Sequence, residues 1–95
     1  MKAYWIAQVD IEDPEAYAQY TARAPQAIAL YDGRFLARGG RSLALEGRDT
    51  PERSVVIEFD SYDQALACYH SPEYQQACRY RTGVARVEIV ILEGL

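Results

Sequence analysis

The stretch AYWIAQVDIEDPE, residues 3–15, sets the pattern on which the fold is built. Its first nine residues alternate between two faces, with Trp5, Ala7 and Val9 on one of them, and a period of two is typical of a β-strand. The triplet Asp13-Pro14-Glu15 then offers an N-cap, a proline in the first turn and an acid near the positive helix end. The stretch therefore predicts a strand over 3–11 that leads directly into a helix.

Similar start signals occur further along the chain. Ser61 with Gln64 forms a capping box, and Ser71-Pro72-Glu73 repeats the cap, proline and acid. The second helical region is thus predicted to begin after Ser61 and to restart at Ser71. In the first region Pro25 removes a backbone donor and disfavours helical geometry at Ala24, so we expect a break there.

Three further strands complete the pattern. RFLARGG, 34–40, predicts a strand that its double glycine bends or bulges, and RSVVIEF, 53–59, alternates like the first strand. Between them, GRDTPE at 47–52 is rich in turn formers. Residues 86–93 form the last predicted strand.

The order of elements is strand, helix, strand, strand, helix, strand. Short connections that do not cross predict an α+β fold, a ferredoxin-like βαββαβ sandwich with an antiparallel sheet in the order 4-1-3-2. At 95 residues and 49% hydrophobic content, the chain is long enough for one core. We expect a single domain over 1–95, with both helical regions on one face of the sheet.

The other face of the sheet is also predicted to need cover. In the last strand, Val87 and Ile89 alternate with Val90 and Leu92, so both faces are apolar. With no further chain available, a second copy is the simplest cover. The sequence therefore predicts a homodimer.

Charge and composition exclude several partners. The net charge of −4 and the pI near 4.9 leave no excess of cations for phosphates, which argues against nucleic acid and anionic membrane. No segment has the length of a membrane span or a signal peptide, which predicts a cytoplasmic protein. Val55 and Ile57 stand where an RNA-recognition fold needs stacking aromatics, and the glycines of 33–40 do not have phosphate-loop spacing.

Several motifs together carry a resemblance to a known family. They are Asp13-Pro14-Glu15 with Tyr17 and Tyr20, Gly33 followed by LARGG at 36–40, LEG at 45–47, Phe59 with Ser61, and YHSPEYQ at 69–75. In these the chain resembles the domain-of-unknown-function 1330 family of the dimeric α/β-barrel superfamily. It departs from the family at Asp60, usually proline, and at Cys68, usually tryptophan. The resemblance implies a homodimer whose two sheets form a barrel, but it implies no defined reaction.

CYHSPEYQQAC, residues 68–78, contains both cysteines and the one histidine. Structural zinc needs about four ligands, and Cys68, His70 and Cys78 supply three without paired CxxC motifs. Residues two apart on a helix project about 200° apart, so Cys68 and His70 cannot form a catalytic dyad there. We expect buried thiols, no metal and no cofactor.

Arg38 is the strongest candidate ligand-binding residue. The two glycines that follow it allow close approach, and guanidinium pairs well with carboxylates. The alternative is an ion pair between Arg38 and Glu58 or Asp10, which are themselves candidate ligand-binding residues. Tyr4 joins them because its position in the strand points it toward the second face, where strict alternation also places Asp10, Arg38 and Glu58.

His70 is the best general acid or base by residue type, since histidine is the side chain that most readily exchanges a proton at physiological pH. It precedes Ser71-Pro72, where the helix pauses and a side chain can lean over the end of the sheet. The alternative is a surface or cap-satisfying histidine. The catalytic assignment therefore depends on where this side chain lies.

Three functions remain open at this stage. The first is a homodimer that binds a small organic metabolite in a pocket between sheet and helices, with Arg38, Glu58, Tyr4 and His70 near its mouth. The second is a cofactor-independent enzyme, by analogy with monooxygenases and isomerases of small cyclic compounds in the wider superfamily. The third is a dimerisation module without a ligand. Whether the chain is an enzyme stays open.

Overall fold

The computed structural model describes all residues from 1 to 95. Four strands and four helices follow one another along the chain as β1 (Ala3–Ile11), α1 (Pro14–Thr21), α2 (Ala24–Leu30), β2 (Arg34–Arg38), β3 (Arg53–Phe59), α3 (Tyr62–His70), α4 (Pro72–Cys78) and β4 (Ala85–Glu93). The predicted βαββαβ order is confirmed, with each helical region divided in two. None of the helices has the length and apolar character that crossing a membrane requires.

The strands form one antiparallel sheet in the order β2-β3-β1-β4, which is the predicted order. The sheet is open within one chain, because β2 and β4 are its two edges and do not pair with each other. The helices cover one face. We call the opposite face, which carries Tyr4, Glu58 and Val90, the open face.

The predicted caps explain where the helices begin. Asp13 accepts a hydrogen bond from the Ala16 amide, and Ser71 accepts one from the Tyr74 amide. Pro25 lies in the first turn of α2, so it starts the second helix two residues after the first has ended. The capping box at Ser61 is only half formed, because the Gln64 side chain donates to the Tyr31 carbonyl at 2.6 Å instead.

The core lies between the sheet and the helices and is rich in aromatic rings. Trp5, which is 2% exposed, packs its indole edge against Tyr74 with ring centroids 4.9 Å apart and stacks on Phe59 at 6.0 Å. Such geometries add stabilisation beyond burial of apolar area. Trp5 therefore anchors β1 to the α4 layer.

A bulge in β2 changes the face on which Arg38 lies. Phe35 pairs with Ile57 and Arg38 pairs with Val55, with a shift of register between Phe35 and Ala37. Since Ile57 and Val55 are buried against the helices, Phe35 and Arg38 share the helix-covered face. The prediction that Arg38 lies on the second face is wrong, because one extra residue breaks the alternation. The bulge was expected at the double glycine, but it lies before it, between Phe35 and Ala37.

Part of the open face is covered by the chain itself. In the loop between β2 and β3, Arg48 donates to Gln8 at 3.1 Å, to Asp10 at 3.2 Å and to Glu88 at 2.8 Å. The expectation that no chain remains to cover this face is therefore wrong at its polar end. At the other end, Val90 and Leu92 are 59% and 56% exposed.

Candidate functional site

A cavity of about 450 Å³ lies between the sheet and the first two helices. Its wall is formed by 16 residues, of which 12 are hydrophobic: Trp5, Ala7, Val9, Tyr17, Tyr20, Thr21, Ala24, Pro25, Ile28, Phe35, Arg38, Arg53, Val55, Ile57, Val87 and Ile89. Small-molecule sites in proteins have volumes of about 300 to 1,000 Å³ and mostly apolar walls. The cavity has the size and character of such a site.

Two small, buried side chains line the space. Ala7 lies in the middle of β1, and Ala24 begins α2. Neither methyl group can fill the distance between a sheet and a helix layer, which elsewhere in this core is filled by Trp5 and Phe59. The break between α1 and α2 adds to the gap.

Two guanidinium groups line the cavity. The Arg38 guanidinium carbon stands 4.3 Å from the centre of the Phe35 ring. Arg53 lies against Gly39, where an added β-carbon would be 2.5 Å from its Nη1 atom. Neither arginine takes part in any salt bridge of the chain. No Asp or Glu is present in the cavity wall.

A row of tyrosines forms the helical wall. Tyr17 is buried, and burial raises its pKa, while the Arg53 and Arg81 guanidinium groups oppose the rise. Its side chain lines the cavity, and its hydroxyl makes no hydrogen bond within the chain. The Tyr20 hydroxyl instead lies 2.7 Å from that of Tyr74, and burial raises the pKa of Tyr20 to about 12.

Arg81 supports this wall from behind. Its guanidinium carbon stands 5.2 Å from the centre of the Tyr20 ring, and its Nη2 donates to the Cys78 sulfur at 3.2 Å. The Nε atom is buried without a partner. The positive charge of Arg81 favours the ionised form of the neighbouring tyrosines and so opposes part of the rise in pKa that burial causes. It also adds to the positive potential on this side of the cavity.

The structure separates the candidate residues. Arg38 lines the cavity, whereas Tyr4, Asp10 and Glu58 lie on the open face, because side chains along a strand alternate between faces. His70 is exposed at the end of α3 with its ring 5.2 Å from that of Tyr69. The group expected at one pocket mouth is therefore not assembled. The roles of these residues in binding or catalysis stay predictions.

The alternative that Arg38 pairs with Glu58 or Asp10 is wrong. Arg34 donates to Glu58 at 3.0 Å, and Arg48 holds Asp10. Both carboxylates lie across the sheet from Arg38, so neither can neutralise it.

Two functional candidates were missed in the sequence, Arg53 and Tyr17. The signal for Arg53 was present, since the alternation of Val55, Ile57 and Phe59 extends back by one step to Arg53 and assigns it to the buried face. Tyr17 was read only as part of a helical stripe. Nothing in the chain distinguishes it from Tyr20 before the partner of each hydroxyl is known.

The cysteines and the histidine take different environments. Cys68 is 0% exposed, and burial raises the pKa of its thiol to about 12, with Glu73 adding to the rise. His70, two residues on, is exposed. Nowhere in the structure do three or more His, Cys, Asp or Glu side chains come together in a way that could hold a metal ion.

Comparison with known proteins identifies the family and the fold. The family described as domain of unknown function (DUF1330) matches residues 2–95. No curated protein matches the chain.

Among solved structures, the chain is similar to RPA0582, a protein of unknown function from Rhodopseudomonas palustris, with 19% identity over 99% of this chain and 82% of that one and a TM-score of 0.78. It is similar to SnoaB, a cofactor-independent oxygenase from Streptomyces nogalater, with 16% identity over 99% and 93% of the chains and a TM-score of 0.67. It is also similar to a dimeric, ferredoxin-like protein of unknown function from Bacteroides fragilis, with 16% identity over 98% and 96% of the chains and a TM-score of 0.59. These similarities establish the ferredoxin-like fold.

Proposed function

The chain belongs to the DUF1330 family, and we propose that it acts as a homodimer that binds a small, largely apolar organic molecule in the cavity between sheet and helices. The observation that carries the proposal is the cavity itself, about 450 Å³ and lined mostly by hydrophobic residues. Protein interiors rarely leave such space unfilled, because each void costs contact energy. A bound molecule would recover that energy.

The homodimer follows from the open face. Its apolar end, with Val90 and Leu92, would be desolvated against a second copy, and its polar end is already neutralised by Arg48. The Bacteroides fragilis protein of similar fold is described as dimeric. Tyr4 and Glu58 would then lie at or near the interface, where any contact with a ligand would need the second copy.

Trp5 provides the experiment, because it is the only tryptophan and it lines the cavity. Small aromatic molecules should quench or shift its fluorescence on binding. Thr21→Phe, at a partly buried position of the cavity wall, should fill the space and remove the response. Ala18→Phe, on the exposed side of the same helix, should leave the response unchanged. An unaltered titration in Thr21→Phe would refute the cavity as the site.

A cofactor-independent oxygenase is the second candidate, favoured by the similarity in fold to SnoaB. In this chain the cavity wall offers the Tyr17 phenol as a candidate acid or base, while Glu58 and His70 lie elsewhere. Oxygen uptake should be measured with phenolic molecules that quench Trp5. Uptake that persists in Tyr17→Phe and His70→Ala alike would remove both residues as acid or base.

A further inference from the structure

The two guanidinium groups of the cavity point to the class of its ligand. We infer that the ligand is an organic acid with an apolar body, whose carboxylate is held between Arg38 and Arg53 with the Tyr17 hydroxyl as a third donor. This inference rests on the proposed function and adds the charge and chemistry of the bound molecule.

The first argument is the lack of any acceptor inside the chain. On the open face, Arg34 and Arg48 are each held by two carboxylates. Arg38 and Arg53 have none, which is also true of Arg23, Arg41, Arg79, Arg81 and Arg86, but Arg38 and Arg53 are the two arginines that line the apolar cavity. Arg38 is exposed and Arg53 is half-buried, so both guanidinium groups are free to bind an anion that enters from solvent.

The second argument is local geometry. Arg38 and Arg53 come from adjacent antiparallel strands and share the helix-covered face, because the β2 bulge places Arg38 on that face. Gly39 follows Arg38 and has a positive φ of 74°, and its missing side chain lets the Arg53 head lie against the backbone. The Phe35 ring holds Arg38 by a cation–π contact. Both side chains line the same cavity, Arg38 as an exposed residue and Arg53 as a half-buried one.

The third argument is the Tyr17 hydroxyl. Tyr17 lines the same cavity, its hydroxyl makes no hydrogen bond in the chain, and it is close enough to Arg53 for the guanidinium to oppose the rise in its pKa. A neutral phenol that donates, beside two guanidinium groups that donate, matches a carboxylate, which accepts through two oxygens. The remaining wall accepts only an apolar body, such as a benzene or cyclohexane ring.

Matched acids and alcohols test the inference through Trp5 fluorescence. The probes are 3-phenylpropanoate with 3-phenylpropan-1-ol and cyclohexanecarboxylate with cyclohexylmethanol. We expect each acid to bind at least about tenfold more tightly than its alcohol, the ratio for one charged hydrogen bond of about 1.4 kcal/mol. Arg38→Gln and Arg53→Gln should each weaken the acids about tenfold and leave the alcohols unchanged. Arg41→Gln, an equal charge change in the exposed β2–β3 loop, should have no effect.

Each outcome decides something. If acid and alcohol bind equally well and Thr21→Phe abolishes both, the cavity site stands and the inference fails. If none of the four probes binds at millimolar concentration, the proposed function and the inference both fail. Arg53→Lys keeps the charge but loses the planar fork, so it provides a second test if Arg53→Gln does not fold. Added salt should weaken the binding of each acid and leave the binding of its alcohol unchanged. If the affinity for the acids does not fall with added salt, the inference is also overturned.

Discussion

The hydroxyl oxygens of Tyr20 and Tyr74 lie 2.7 Å apart and join α1 to α4 across the top of the core. Their rings meet edge to face with centroids 6.2 Å apart, and Tyr74 also packs on Trp5. The pair thus connects the helix that lines the cavity to the aromatic cluster around Trp5.

Removing one member of this pair should cost stability. Tyr74→Phe leaves the Tyr20 hydroxyl without its partner, and we expect the free energy of unfolding in urea to fall by about 1 to 2 kcal/mol. The double variant Tyr20→Phe/Tyr74→Phe should be less destabilised than the sum of the single variants, because it leaves no orphan hydroxyl. Strict additivity would show that the two hydroxyls do not interact.

Alkaline pH should destabilise the fold through the same residues. The Tyr20 pKa of about 12 in the folded chain exceeds its ordinary value of 10.0, so stability is full below pH 10 and is lost as the pH rises through 12. At pH 11 we expect Tyr20 to account for roughly 1 kcal/mol of the loss. Burial also raises the pKa of Tyr17 and of Tyr74, which adds losses of the same sign.

Urea unfolding at pH 9 and pH 11 measures this effect. Tyr20→Phe should lose less stability between the two pH values than the unsubstituted chain. Tyr62→Phe, at an exposed tyrosine, is the control and should behave like the unsubstituted chain. An equal loss in Tyr20→Phe would contradict the prediction.

Gly39 should be required for the position of Arg53. In Gly39→Ala the new β-carbon meets the Arg53 head, and the φ of 74° strains any residue with a side chain, at a cost of about 1 kcal/mol. We expect this variant to bind 3-phenylpropanoate several-fold more weakly than the unsubstituted chain. Gly40→Ala is the matched control, since nothing lies within 4 Å of its added β-carbon. Equal weakening in both variants would argue for a general loosening of the loop.

The open face should determine the oligomeric state. Val90→Asp places a charge in the apolar end of that face, and light scattering should then report the 10.7 kDa monomer instead of a dimer. Leu30→Asp makes the same change at an exposed leucine on α2 and should leave the mass unchanged. A monomer already present in the unsubstituted chain at micromolar concentration would refute the dimer.

The two cysteines should react at different rates. Burial holds the pKa of Cys68 near 12, so at pH 8 almost none of it is thiolate, and thiolate is the form that attacks a disulfide reagent. In Cys78→Ser, Cys68 is the only thiol, and an aromatic disulfide should label it slowly in the native protein. Unfolding in urea exposes Cys68, so labelling should then be fast. Fast labelling of the native variant would mean that Cys68 is reached without unfolding.

Most of the fold could be predicted because its signals are local. The alternation around Trp5 and the caps at Asp13 and Ser71 each depend on a few neighbouring residues, and the structure keeps all of them. The strand order then followed from short connections alone. Gln64 shows the limit, because its side chain is taken by the Tyr31 carbonyl, 33 residues away.

The candidate site was harder to predict for two physical reasons. In β2, Phe35 and Ala37 form an apolar alternation opposite Arg34, Leu36 and Arg38, so the pattern favours a regular strand and conceals the bulge that places Arg38 on the cavity side. The ion pairs of Arg34 and Arg48 join residues that are 24 to 40 positions apart in the sequence. The sequence alone could not show that these two arginines, and not Arg38, pair with Glu58 and Asp10. Arg53 is different, since the alternation of β3 already assigned it to the buried face.

The bulge in β2 has a consequence for how this edge strand can vary. Strict alternation with Leu36 in the ladder would carry Arg38 through the sheet, from the ligand cavity to the opposite side. The one extra residue therefore decides which compartment receives the charge. Deleting Leu36 would remove the bulge and leave Arg38 opposite Val55, so we expect the deletion to keep the guanidinium at the cavity.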